Sequence, residues 1–315
     1  LLQQRANELV HQSIPFQRSV GKVIMQLSIL IVNYNGKKYL GDCLSSIKQF
    51  VTAEHEVILV DNASGDGSVE YVRNTFPEVK VIISDRNLGF AGGNNLGAHE
   101  ASGKYLLLLN NDTKLLTDIN PAIDLLEDDH SIGIAGAMML DGDEKYSVSA
   151  GHFPSPPRLV RIASVYKSDG YFRHGNFPQH TQRNGFMVDW VAGSFLLMQR
   201  SLWQRLGGLD DSYFMYGEDV DFCRRMLDEG LLTAYCPTVR YVHYCGFDSS
   251  RLPLIIKGFR RYHQKFSNVF SRTAADGILF SGLILRALVY GLLFVITGKQ
   301  DYGVKTKACR AALVA

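Results

Sequence analysis

Cysteine is scarce in this chain: five in 315 residues, an odd number with no CxxC pair. That argues against a disulfide framework and suits a reducing compartment. Cys236, His243 and Cys245 come nearest to metal-ligand spacing, but no fourth soft ligand lies close and the stretch reads as strand, so a zinc site is not expected. An excess of one charge is also missing. Thirty-three Lys and Arg stand against thirty-one Asp and Glu, a formal net charge of +2, which excludes coating a polyanion by bulk charge; no nucleic-acid partner is expected and any anion site must be local. Residues 1–23 lack the continuous apolar core of an export signal, so the catalytic part is expected to stay in the cytoplasm. Repeats and low-complexity tracts are absent as well.

Long apolar runs are confined to one place, residues 277–297 (GILFSGLILRALVYGLLFVIT), interrupted by Arg286. The length approaches the roughly 20 residues needed to span a bilayer. Membrane contact is the expectation, an interfacial or re-entrant arrangement rather than a simple span, because a charge at the bilayer centre is costly. A buried C-terminal helix and a self-association surface making a homo-oligomer are the competing uses of the segment.

What is present is an apolar fraction of 46%, enough for a substantial core, arranged as short apolar runs alternating with helical patterns. Residues 27–32 (LSILIV), 56–60 (EVILV), 80–83 and 105–109 (YLLLL) read as strands, with helices at 38–50, 68–75 and 94–101. That order predicts an α/β fold with a Rossmann-like, mostly parallel sheet covered by helices on both faces. The polar clusters 33–36 (NYNG), 61–65 (DNASG) and 110–112 (NND) follow three of the strands and should converge on one crevice beyond their carboxyl ends. Residues 154–183 read as a long irregular insertion, 188–198 (VDWVAGSFLLM) as a strand, and a helix follows from Ser201. Residues 254–270 place Leu254, Ile255, Phe259, Tyr262, Phe266 and Phe270 on one helical face with Lys257, Arg260, Arg261 and Lys265 elsewhere, a basic amphipathic helix.

Chemistry is concentrated in four places. Asn110, Asn111 and Asp112 follow YLLLL, so a strand delivers a carboxylate to the sheet edge, where one oxygen ligand suits a cation completed by water and phosphate; a turn or helix cap is the alternative. Asp61 and Asn62 can bond the polar edge of a base or a ribose hydroxyl, or close an Asx turn, and for Ser64 and Asp66 the turn is the better reading. In residues 87–95 (NLGFAGGNN), glycines let a backbone approach a ligand and a helix N-terminus favours anions, while the pattern departs from GxGxxG and makes a nicotinamide dinucleotide site unlikely. Glu218, Asp219 and Asp221 in GEDVD put three carboxylates at a helix entry, where they cannot all point one way; one can face the crevice as a general base while another caps the helix.

In order along residues 26–270, LSILIVNYNG, VDNASGDGS, NLGFAGGNN, LLLLNNDT, WVAGSFLLMQRSLWQRLGGLDDSYFMYGEDVDFCRR and VHYCGFDSS resemble glycosyltransferase family two, on the GT-A fold, and especially its rhamnosyltransferase-like branch. The resemblance implies a metal-dependent, inverting sugar transfer from a nucleotide-diphosphate donor. Asp112 would take the metal, Mg2+ or Mn2+, with Asn110 standing where the family motif has aspartate. Asn33, Asn35, Asp61, Asn62, Asn87, Gly89, Phe90, Gly93, Asn94, Asn110 and Asn111 would line the nucleotide-sugar site. Asp219 would be the base, assisted by Glu218 at the acceptor, and Trp190 and Gly193 would line the acceptor side. His243 resembles a histidine that approaches the metal or diphosphate, with an ordinary strand histidine as the alternative. The branch implies dTDP-rhamnose as donor, and the C-terminal helices resemble enzymes that act on polyprenyl-diphosphate-linked saccharides in bacterial surface-polysaccharide assembly, at the cytoplasmic face of the membrane. Expected boundaries are an extension over 1–24, a catalytic domain over 25–250 divided near 113, and a membrane-associating region over 251–315. A UDP-sugar transferase, a nucleotidyltransferase and an inactive sugar-nucleotide-binding or membrane-scaffold protein are the rivals; VNYNGKK is a poor match to the basic, glycine-rich loop of the second, and the acids at 112 and 219 argue against the last.

Overall fold

The computed structural model describes residues 25–163, 185–245 and 249–315. Four parallel strands carry the first half: β1 (Leu27–Asn33), β2 (His55–Asp61), β3 (Lys80–Ile83) and β4 (Tyr105–Leu109). Between them run α1 (Lys37–Phe50), α2 (Ser68–Thr75) and α3 (Gly89–His99). Every residue of β4 is buried, because helices cover both faces of the sheet and leave no polar side for an alternating pattern.

The second half extends the same sheet. Its strands are β5 (Thr113–Leu115), β6 (Ile132–Leu140), β8 (Phe186–Val188), β10 (Phe195–Gln199) and β11 (Leu232–His243), with β7 (Ala150–Gly151) and β9 (Trp190–Val191) paired apart from it. The spatial order is β3-β2-β1-β4-β10-β6-β11-β5, with β8 also on β11. Strand β10 runs antiparallel between β4 and β6, so a mixed sheet joins the two halves. The short β5 folds back against the end of β11 and places Thr113 opposite His243. This pairing brings residues 130 positions apart to one edge; no local pattern encodes it.

Helices α4 (Asn120–Asp128), α5 (Pro156–Ala163), α6 (Arg200–Leu206) and α7 (Glu218–Asp228) accompany the second half of the sheet, and α8 (Leu252–Phe266), α9 (Val269–Thr297) and α10 (Gln300–Leu313) follow it. Two apolar clusters lie on the two faces of the sheet. A third joins Leu159 of α5 to Leu252, Leu279, Leu283 and Cys309, and so binds the C-terminal helices to one another.

Four expectations change. The single strand over 188–198 is three, because backbone turns at Asp189 and at 192–194 carry the chain from β8 through β9 into β10. The third helix starts at Gly89 rather than Asn94, since its glycines pack against β1 and β2 instead of forming a loop. Part of the insertion at 154–183 is helical, as α5; residues 164–184 lie outside the described residues. The basic helix ends at Phe266, and Phe270 starts α9 almost fully exposed, because the Asn268 side chain accepts from the Ser271 amide and caps a new helix.

Candidate active site

At the carboxyl ends of β1 and β2, polar side chains first hold one another. The Asn33 amide donates to Asp61 Oδ1 (2.9 Å) and Ser64 Oγ (3.1 Å), and its oxygen accepts from Asn111 Nδ2 (2.7 Å). Asp61 Oδ2 accepts the Ser64 amide at 2.9 Å, the geometry of an Asx turn. Asn35 sits at φ 52, in the left-handed region asparagine tolerates, and its Oδ1 accepts the Gly65 amide. Asp66 accepts the amides of Lys37 and Ser68 and so ties the starts of α1 and α2 together.

Around the start of α3, Asn87 Oδ1 accepts the Gly89 amide, Asn62 donates to the Gly89 carbonyl (2.9 Å), and Asn94 donates to the Phe90 carbonyl (2.9 Å). Gly89 has φ 72, and a Cβ there would overlap the carbonyl oxygen of Phe214; that carbonyl accepts the Phe90 amide at 2.9 Å. Gly93 lies against Val32 and Asn62. Among the described residues, the buried oxygens Asn62 Oδ1 and Asn94 Oδ1 have no hydrogen-bond partner.

Beyond β4, Asp112 Oδ1 lies 3.1 Å from His243 Nε2, and Asn110 Nδ2 lies 3.3 Å from the same nitrogen. The Tyr244 amide donates to the Asp112 carbonyl (2.9 Å), continuing the β5–β11 ladder and fixing the loop. Burial pushes the Asp112 pKa up, but hydrogen bonding and charge from His243 with a hydrogen bond from Cys245 outweigh it, leaving the carboxyl below its ordinary range and ionised. One carboxylate oxygen, one imidazole nitrogen and the buried Asn110 Oδ1, without a hydrogen-bond partner among the described residues, are a donor set that fits Mg2+ or Mn2+ with phosphate and water completing the shell. Among the described residues no three His, Cys, Asp or Glu side chains cluster around one point, so protein alone would not saturate the ion.

Helix α7 begins after Gly217 at φ 98 and Tyr216 at φ 72. Its acids divide. Asp221 is fully buried and pairs with Arg225 (2.7 Å) and Lys265. Asp219 retains partial exposure and accepts the Gly193 amide on Oδ2 (3.0 Å) and the Val220 amide on Oδ1 (2.8 Å). Glu218 Oε2 is buried and has no hydrogen-bond partner among the described residues. Burial, and after it the charge on Asp219, pushes the Glu218 pKa well up; burial also raises Asp219 against the pull of its backbone donors. Gly193 lies between Phe90 and Asp219, whereas Trp190 turns to Gly151 and donates Nε1–H to the His152 carbonyl (2.9 Å).

Two neighbours went unread in the sequence. Arg251 donates to the Tyr216 hydroxyl at 3.0 Å, and Asn95 exchanges two hydrogen bonds with the Leu209 backbone, anchoring α3 to the segment that leads to α7. Arg251 lies one residue beyond the VHYCGFDSS segment, and Asn95 closes NLGFAGGNN without having been given a role of its own.

The sequence matches the family profile "Glycosyl transferase family 2" over residues 28–206. This chain belongs to glycosyl transferase family 2. A second profile, "Glycosyl transferase family group 2", matches residues 153–299. The chain is similar to the rhamnosyltransferase WbbL of Escherichia coli, 39% identical over 235 residues, 70% of this chain and 84% of that protein. It is also similar to the N-acetylglucosaminyl-diphospho-decaprenol L-rhamnosyltransferase of Mycobacterium tuberculosis, 26% identical over 72% of this chain and 78% of the other. Among solved structures it resembles GalNAc-T7 with UDP, GalNAc and Mn2+ (TM-score 0.59, 18% identity, 77% of this chain and 48% of that one) and the Pyrobaculum calidifontis mannosyltransferase PcManGT with GDP-mannose and Mn2+ (TM-score 0.56, 17% identity, 92% and 86%). These likenesses establish the GT-A fold, and the family establishes a glycosyltransferase with rhamnosyltransferase relatives.

Proposed function

We propose that this glycosyltransferase moves rhamnose, with inversion, from dTDP-rhamnose to a saccharide on a polyprenyl diphosphate in bacterial surface-polysaccharide assembly. The observation that supports the reading is that the Gly193 amide holds Asp219 while the next residue, Ser194, accepts the Asn110 amide on its carbonyl, beside the Asp112–His243 pair. The asparagine-lined loops from Asn33 to Asn111 would receive the nucleotide, with the free oxygens of Asn62 and Asn94 as its hydrogen-bond acceptors. The acceptor hydroxyl, on the Trp190 and Gly193 side, forms a bond to the sugar's anomeric carbon as the bond to the diphosphate breaks, and its proton passes to Asp219. A raised pKa makes that carboxylate a better base. A divalent cation held by Asp112 and His243 would neutralise charge on the departing diphosphate. Glu218, whose pKa burial pushes well up, would hold the loop against the acceptor.

A position at the cytoplasmic face of the membrane is supported by the C-terminal helices. Residues 251–315 hold eleven Lys and Arg against two Asp, in a chain whose net charge is only +2. Helix α9 is long and apolar enough to cross a membrane, yet only 17% of its most apolar stretch is buried; Phe280, Ile284, Leu288, Leu292 and Val295 are exposed along it. Arg286 is half-buried and its charge acts on Cys309 of α10, so it faces protein rather than lipid. Helix α8 has a different part from the one its sequence pattern suggests. Lys265 meets Asp210 and Asp221 and Arg261 meets Asp210, which docks α8 to the catalytic part, while Arg260 lies 3.8 Å from Asp276 of α9 and Lys257 is exposed.

The deciding experiment is a thermal-shift screen of the whole protein with dTDP-rhamnose, UDP-sugars and GDP-mannose, with Mn2+, Mg2+ or EDTA. A metal-dependent rise for dTDP-rhamnose alone is expected. Selective stabilisation by a UDP-sugar would replace the donor, and equal shifts in EDTA would remove the metal.

A further inference from the structure

Cations around the active site are mostly spent on carboxylates. Arg225 and Lys265 meet Asp221, Arg224 meets Asp228, and Arg260 and Arg261 meet Asp276 and Asp210. Arg251 is not among them. It ends the short helical turn Ser249–Arg251 that follows β11, it is half-buried, and among the described residues no carboxylate lies within ion-pair distance of it. Its partner is a neutral phenol, the Tyr216 hydroxyl, at 3.0 Å.

That phenol is held in an unusual place. Tyr216 is a non-glycine residue at φ 72, a conformation that costs free energy, and it immediately precedes Gly217, Glu218 and Asp219. The charge of Arg251 is felt at Asp112 and Cys245 as well as at Tyr216, so the guanidinium shares the face that carries the Asp112–His243 pair. Among the described residues no carboxylate pairs directly with this half-buried guanidinium, and its planar fork matches the geometry of phosphate oxygens, which it grips in bidentate fashion.

We propose that Arg251 binds the diphosphate of the nucleotide-sugar donor, with Tyr216 as the positioning residue that aims it. This rests on the donor reading above and adds a protein cation to the diphosphate site. The contact strengthens as the sugar–oxygen bond breaks and negative charge moves onto the diphosphate. Because Tyr216 adjoins the acids that open α7, it also ties the diphosphate grip to the segment that presents Asp219. A lipid-linked acceptor carries a diphosphate too, so binding is measured without acceptor.

The test is calorimetry of the full-length protein with Mn2+ and three probes: thymidine 5′-diphosphate, uridine 5′-diphosphate and thymidine 5′-monophosphate. Arg251→Met should weaken binding of the tighter diphosphate about ten- to a hundredfold, the usual worth of a hydrogen bond to a charged group, and leave the monophosphate unchanged. Arg251→Lys should restore part of the loss, and Tyr216→Phe should give a smaller loss of the same selectivity; these two carry the test if Arg251→Met does not fold. Wild-type diphosphate affinity in Arg251→Met, or equal losses for mono- and diphosphate, would overturn the assignment while leaving the donor reading intact. If the wild-type protein binds neither diphosphate, the donor reading fails and this inference with it.

Discussion

The backbone amide of Gly193 donates to Oδ2 of Asp219 at 3.0 Å, so the turn between β9 and β10 aims the acid that opens α7. A Cβ on Gly193 would stand 3.0 Å from the Phe90 ring, a tight approach, and 3.5 Å from Asp219 Cβ, an ordinary contact. Asp219→Asn should therefore keep donor affinity and lower sugar transfer by roughly two to four orders of magnitude, the worth of positioned proton transfer. Gly193→Ala should lower kcat with little change in donor affinity. Near-normal turnover in Asp219→Asn would remove it as the base.

The Glu218–Asp219 pair also predicts a pH dependence. A carboxyl whose folded pKa is raised is deprotonated earlier in the unfolded chain than in the folded one. The folded state then holds more protons between the two values, and stability falls as pH rises through that window. Glu218→Gln removes the penalty, so its melting temperature should gain on wild type progressively from about pH 4.5 upward. A constant difference across pH would show that Glu218 carries no such shift.

Asp112→Ala should abolish metal-dependent nucleotide binding, because His243 and the Asn110 amide alone are a poor site for a hard cation. His243→Ala should weaken it less. Calorimetry with dTDP and Mn2+ makes the comparison, and unchanged affinity in Asp112→Ala would contradict the assignment.

At Gly89 the left-handed φ and the contact with the Phe214 carbonyl act together. Gly89→Ala should destabilise the fold by about 1–3 kcal/mol, the usual cost of forcing such a conformation. Urea denaturation reads this directly; a loss below the experimental error would mean that α3 shifts to make room.

The exposed stripe of α9 predicts membrane attachment. Leu288→Glu combined with Leu292→Glu should abolish co-sedimentation with vesicles rich in phosphatidylglycerol at low salt, while donor hydrolysis is retained, since both side chains point away from the core. Failure of the wild-type protein to co-sediment would turn the stripe into a self-association surface, which sedimentation velocity would then detect.

The helix and strand order of the first half was legible in the chain because its signals are local. A strand buried on both faces must be apolar throughout, as YLLLL is, and a parallel strand must be followed by a polar turn and a helix. The same reasoning placed Asp112 at a sheet edge and divided Glu218, Asp219 and Asp221 among different directions, but it could not say which acid turned inward. Glu218 and Asp221 both did, and Arg225 and Lys265 neutralise Asp221 there.

Composition and pattern by themselves thus determined an α/β fold, a local rather than global anion site, and an apolar, basic tail. Tertiary structure alone decided what those residues meet. The β5–β11 pairing sets His243 beside Asp112, the β9–β10 turn sets Gly193 against Asp219, and the turn before α8 sets Arg251 on Tyr216. It also drew the charges of α8 onto Asp210 and Asp221, where the helical pattern had put them toward lipid. The physical reason is one of range: periodicity reports which face of an element is buried, whereas the partner on the other side is chosen by packing between segments far apart in the chain.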